Sequence, residues 1–141
     1  MEVFPAADET PWEIIRKTIQ QSDYYIVLSA GRYGTCDESG ISFTEREFDL
    51  AVELAVPIIG FVAEKPFDRS EAHRDDDPDK RRKLLAFHQK IRSRHVRTWS
   101  TIDELNLRAS KAVIYATQNY PRVGWVRADQ AKSLNDFKQV E

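Results

Sequence analysis

Apolar residues change their spacing several times along this chain, and each change marks an element. Thr10-Pro11-Trp12-Glu13 reads as a helix start: Thr10 caps, Pro11 suits the first turn, and Glu13 completes a capping box. Trp12, Ile15 and Ile19 then share one helical face. Residues 23–30 (DYYIVLSA) are almost continuously apolar or aromatic, with no alternation, and predict a strand buried on both faces. A second helix is expected near Thr44, with Phe48, Ala51, Val52 and Ala55 as its stripe, ending before Pro57. Residues 57–62 (PIIGFV) predict a second buried strand. Residues 64–78 are dense in Asp and Arg and read as a solvated, mobile loop. Residues 79–91 read as a helix with Leu84, Phe87 and Ile91 inward, and residues 95–99 as a short strand beginning at His95. Ser100 or Thr101 then caps a long helix whose Ile102, Leu105, Ala109, Ala112, Val113 and Ala116 share a face. The expected division is one α/β domain over residues 1–120 and a C-terminal tail over residues 121–141.

Helices alternating with buried strands predict a short, mostly parallel sheet with right-handed crossovers. The 141 residues suit a single domain large enough to bury a core without a disulfide or metal. The formal net charge of -2 argues against a nucleic-acid binder, which needs a positive excess to displace counterions. Cys36 is the single cysteine, so no internal disulfide is expected. The N-terminus lacks the basic and apolar regions of a signal peptide, and the longest uncharged apolar run, residues 54–63, is too short for a membrane span. A cytoplasmic protein with no membrane partner is the expectation.

In parallel sheets ligands gather at the carboxyl ends of the strands. Residues 31–34, the loop after Val62, and residues 99–101 qualify by position. The first has the most distinctive composition: Gly31 and Gly34 let a backbone approach a ligand, Arg32 offers a planar fork for phosphate or carboxylate, and Tyr33 offers a stacking face. The same four residues also suit a plain strand-to-loop turn. Glu47 stands among Phe43, Thr44, Leu50, Ala51 and Leu54 at helical spacing, in the first turn of the expected helix. A carboxylate there can stabilise a cationic sugar carbon during glycosidic cleavage. It can equally serve as capping-box partner of Thr44, since Thr44-Glu45-Arg46-Glu47 has that spacing. Cys36 reads as a free thiol, His88 as a histidine at the core edge, and His73 with Asp75, Asp76 and Asp77 as a solvated run. No spacing suggests a zinc site, a Walker loop or a dinucleotide fingerprint.

Several segments carry a family resemblance: Phe4-Pro5-Ala6-Ala7, Ser22-Asp23-Tyr24-Tyr25, Gly31-Arg32-Tyr33-Gly34, the run from Gly40 to Asp49 (GISFTEREFD), and Gly124-Trp125-Val126-Arg127-Ala128. Together they resemble domain of unknown function 4062. That family looks like a distant relative of TIR domains and nucleoside 2-deoxyribosyltransferases, which implies a three-layer flavodoxin-like fold. Its members often stand at the front of nucleotide-driven signalling or defence proteins. In both relatives a catalytic glutamate opens the helix before a Pro-containing strand; Glu47 followed by Pro57 is similar. The resemblance therefore implies a catalytic Glu47, with NAD or a nucleoside as possible substrate. With the glycine loop read from its composition, the expected ligand site is Gly31, Arg32, Tyr33, Gly34 and Thr44, and no cofactor or metal is expected. A non-catalytic interaction module is the alternative. Family members usually begin with a strand and helix ahead of the Phe-Pro-Ala-Ala segment. The expectation is thus an N-terminally truncated domain, with residues 1–4 a strand remnant and an open sheet edge that favours self-association or a completing partner.

Overall fold

The computed structural model describes residues 8–94 and 96–131. The expected strand remnant at residues 1–4, and His95, lie outside them. The elements run α1 (Pro11–Gln20), β1 (Tyr25–Ser29), α2 (Phe43–Glu53), β2 (Ile58–Ala63), a single 3-10 turn (Glu71–His73), α3 (Pro78–Arg92), β3 (Val96–Trp99) and α4 (Ile102–Asn119). The three strands form one parallel sheet in the order β1-β2-β3, with Val27 opposite Gly60 and Val62 opposite Thr98. With helices on both sides, this is the α/β arrangement of a flavodoxin-like fold.

Each start has a local cause. Thr10 accepts from the Glu13 amide at 3.3 Å, and the Glu13 carboxylate accepts from the Thr10 amide at 2.7 Å, so the expected capping box is present. Asp77 caps α3 through the Lys80 amide at 3.0 Å, with Pro78 as the first helical residue. Thr101 caps α4. Each such cap is worth about 1 kcal/mol.

On one face of the sheet Val27 and Val62 are buried against Phe48 of α2 and Leu84, Phe87 and Ile91 of α3. Gly60 permits this closeness, because a Cβ there would lie 3.0 Å from an Ile91 methyl. α1 packs on α2 and the turn that follows it through Ile19, Leu50, Ala51 and Val56. On the other face Phe61, Ala63 and Trp99 lie beneath Leu105, Ala109 and Ala112 of α4. α4 covers β2 and β3 and leaves β1 uncovered. Ile26 and Leu28 are each 53% exposed, which corrects the expectation of a strand buried on both faces. An apolar run reports that a strand lies in a sheet, not how far a helix reaches across it. β1 is an edge strand among the described residues.

The chain after α4 returns to the α1–β1 corner. The Gly124 amide donates to Asp23 at 3.1 Å and the Trp125 indole to the Gln21 carbonyl at 3.0 Å. The Tyr24 hydroxyl donates to the Ala116 and Tyr120 carbonyls at the end of α4.

Candidate functional site

The loop from β1 to α2 carries most of the expected site residues, and several of its backbone groups find partners within the chain. The Gly31 carbonyl accepts from the Asp75 amide at 2.7 Å, and the Tyr33 amide donates to the Asp75 carboxylate at 2.6 Å. Asp75 is buried at 8% exposure. The stretch read as solvated is therefore partly structural: Asp75 clamps the β1 loop, Asp76 pairs with Arg74 and Arg81, and Asp77 caps α3.

Gly31 is demanded by this packing. A Cβ there would stand 2.4 Å from the His73 carbonyl oxygen and 2.5 Å from that of Pro66. Gly34 has a φ of +98°, which favours glycine. Tyr33 does not offer an exposed stacking face. It is buried, with its ring edge-on to Phe87, and its hydroxyl donates to Glu45 at 2.9 Å. Burial is the largest cause of its raised pKa, and the Glu45 carboxylate adds to it. Arg32 is exposed and makes no ion pair or hydrogen bond among the described residues.

The cap of α2 is Ser42, which accepts from the Glu45 amide at 3.1 Å. Thr44 is therefore the second helical residue and not the cap, which corrects the expected Thr44–Glu47 box. Ser42-Phe43-Thr44-Glu45 carries the same spacing two residues earlier. Glu45 leaves the cap incomplete, because its carboxylate serves Tyr33 and Lys90 instead. Thr44 stays beside the loop: its hydroxyl lies 3.9 Å from where a Gly34 Cβ would be. Glu47 lies in the second turn of α2 rather than the first, and is half-buried. Tyr25 is a close neighbour: burial chiefly, and then the Glu47 charge, raise the phenol's pKa. The loop thus brings Gly31, Tyr33, Gly34 and Thr44 together, whereas Glu47 stands a turn further along α2, beside the start of β1.

A concavity opens at the carboxyl ends of β2 and β3, where the sequence marks only a position. It has a volume of about 210 Å³ and is lined by Lys65, Asp68, Arg69, Trp99 and Ser100. The Arg69 guanidinium lies 4.5 Å from the centroid of the Trp99 ring. Nothing in the spacing of Lys65, Arg69 and Trp99 signals that pairing; the one available hint is that both segments follow parallel strands.

Among the described residues no group of three or more His, Cys, Asp or Glu is placed to hold a metal, and no helix is long and apolar enough to cross a membrane. No curated protein and no solved structure matches the chain. A family model matches residues 1–114, and by that match the chain belongs to the family described as Domain of unknown function (DUF4062).

Proposed function

We propose that the chain is a TIR-like nucleotide-recognition domain of a signalling or defence protein, cleaving the N-glycosidic bond of NAD or a nucleoside. The observation that carries this reading is Glu47, a half-buried carboxylate on α2 whose charge reaches the Tyr25 phenol at the edge of the sheet. Past the carboxyl end of β1, the loop carries Arg32, a cation with no carboxylate partner among the described residues. In the reaction the bond between the anomeric carbon and the base breaks, and its electron pair leaves with the base. Glu47 stabilises the cationic sugar carbon, and water adds to that carbon and releases a proton. Arg32 holds a substrate phosphate. Tyr33 acts behind the site, by fixing Glu45 and the loop, rather than by stacking on a base.

The test is incubation of the full chain with NAD and with nucleosides, reading free base by chromatography. Wild-type protein is expected to release base, and Glu47→Gln to be slower by about 100-fold or more at unchanged melting temperature. Absence of base release from the wild type, or an unaffected Glu47→Gln variant, sinks the catalytic reading.

The exposed face of β1 and its outer edge, unpaired among the described residues, favour a second reading, a non-catalytic module that acts by self-association. Ile26 and Leu28 are apolar side chains on a strand with no outer neighbour among the described residues.

A further inference from the structure

The cavity beyond β2 and β3 has a chemistry separate from Glu47. Trp99 is 3% exposed, and its indole nitrogen is buried with no acceptor among the described residues. The Arg69 Nε is in the same state. Two buried N–H donors left unmet cost about 1–3 kcal/mol each. Native structures seldom keep such groups without a purpose. Arg69 is held by its stack on Trp99, and among the described residues neither it nor Lys65 on the rim reaches a carboxylate at ion-pair distance.

Two carboxylates stand near these cations. Glu64 is already engaged, accepting from the Ser100 hydroxyl at 2.7 Å and from the Thr98 hydroxyl at 3.2 Å. Those bonds, and the nearby charges of Arg108 and Lys65, hold its carboxyl below the usual range. Asp68 lines the cavity without pairing with either cation. Guanidinium, indole and ammonium are three separate donors, none with an acceptor side chain among the described residues. A tetrahedral oxyanion with three terminal oxygens matches such a set better than a planar carboxylate with two. The position, at the carboxyl ends of neighbouring parallel strands, is where open α/β sheets take ligands.

We propose that Lys65, Arg69 and Trp99 form a binding site for the phosphate group of a small molecule. Arg69 and the Trp99 indole donate to phosphate oxygens, and Lys65 closes the rim as a mobile charge. The site stands under either reading of the protein, since binding phosphate needs no catalysis by Glu47.

The test is a titration of the full chain at fixed ionic strength, following the Trp99 indole proton by NMR. Pyrophosphate probes the bare group, AMP the group on a nucleoside, and acetate a carboxylate. Pyrophosphate and AMP are expected to move the signal saturably with a Kd of about 1 mM or tighter, and acetate to bind about tenfold more weakly. Arg69→Gln is expected to weaken pyrophosphate about tenfold, and Lys65→Gln, a change on the rim, about threefold. If Arg69→Gln does not fold, Lys65→Gln alone decides. The proposal is overturned if the signal stays still up to about 10 mM of either phosphate, if acetate competes equally, or if the folded variants bind like the wild type.

Discussion

His88 shows how a single buried side chain contributes to the response of the protein to acid. It projects from α3 at 3% exposure, with Nε2 2.8 Å from the Ser29 hydroxyl of β1. Burial, with a smaller push from Arg92, lowers its pKa from 6.5 to about 4. Between those values the unfolded chain takes a proton that the folded chain refuses. The contribution of His88 is therefore full above pH 6.5, falls as pH drops through the window, and is fully lost below pH 4. The loss amounts to about 3 kcal/mol at most. Urea unfolding at pH 7 and pH 5 checks this: the pH difference is expected to shrink in His88→Gln, and an equal difference in both proteins would count against it. The histidine was legible in the sequence as a residue on the Leu84 face. The role of Asp75 was not, because a run of three aspartates carries no mark of which one will meet a backbone amide from a segment far off in sequence.

Among the elements, the junction of β1 with its loop is the least tolerant of change. At Gly31 an added methyl meets two carbonyl oxygens, from Pro66 and His73, and backbone cannot swing aside as a side chain does. Gly31→Ala is expected to lose about 3 kcal/mol. At Gly34 the obstacle is only the left-handed backbone, since a Cβ would make no more than ordinary contacts with Thr44 and Ser42, and Gly34→Ala is expected to lose about 1–2 kcal/mol. Thermal melts of the two variants test the order; equal shifts, or a larger one at Gly34, would contradict it. Helix starts were legible wherever one capping pattern stood alone, as at Thr10. At α2 two overlapping patterns compete, Ser42 with Glu45 and Thr44 with Glu47. Spacing cannot choose between them. Tertiary contacts do: Ser42 is fully buried and bridges to Cys36, and Glu45 answers Tyr33 and Lys90. This two-residue shift moves Glu47 out of the first turn, and so changes what the candidate carboxylate faces.

At the scale of the whole molecule the two faces of the sheet are unequally protected. α2 and α3 cover one, while α4 leaves β1 bare on the other. The Tyr25 amide donates inward to Pro57, so the alternation of a parallel ladder turns the N–H and C=O groups of Ile26 and Leu28 to the outer edge. Should the chain self-associate, a second copy is expected at that edge, antiparallel about a two-fold axis at Val27. Ile26 of each copy would then exchange both backbone bonds with Leu28 of the other, with Asp23 opposite Gly31, next to Arg32. A guanidinium with five donors can meet that carboxylate and a ligand together. Sedimentation at tens of micromolar is expected to give twice the 16.3 kDa of one chain. Ile26→Lys and Leu28→Pro, both on the open side of an edge strand, are expected to restore the single-chain mass without unfolding it. A wild-type monomer, or a dimer indifferent to both changes, rules this pairing out. The alternation of helices with apolar strands made the parallel sheet legible from the sequence; the reach of α4 was not, because coverage depends on where a helix lies and not on its own pattern. The strand order has one more consequence. Neighbours along the chain are neighbours in the sheet, so each crossover closes only the single βαβ loop just made. Among the described residues no strand must be held apart for a later one to insert, so these three strands can pair in the order in which the chain leaves the ribosome.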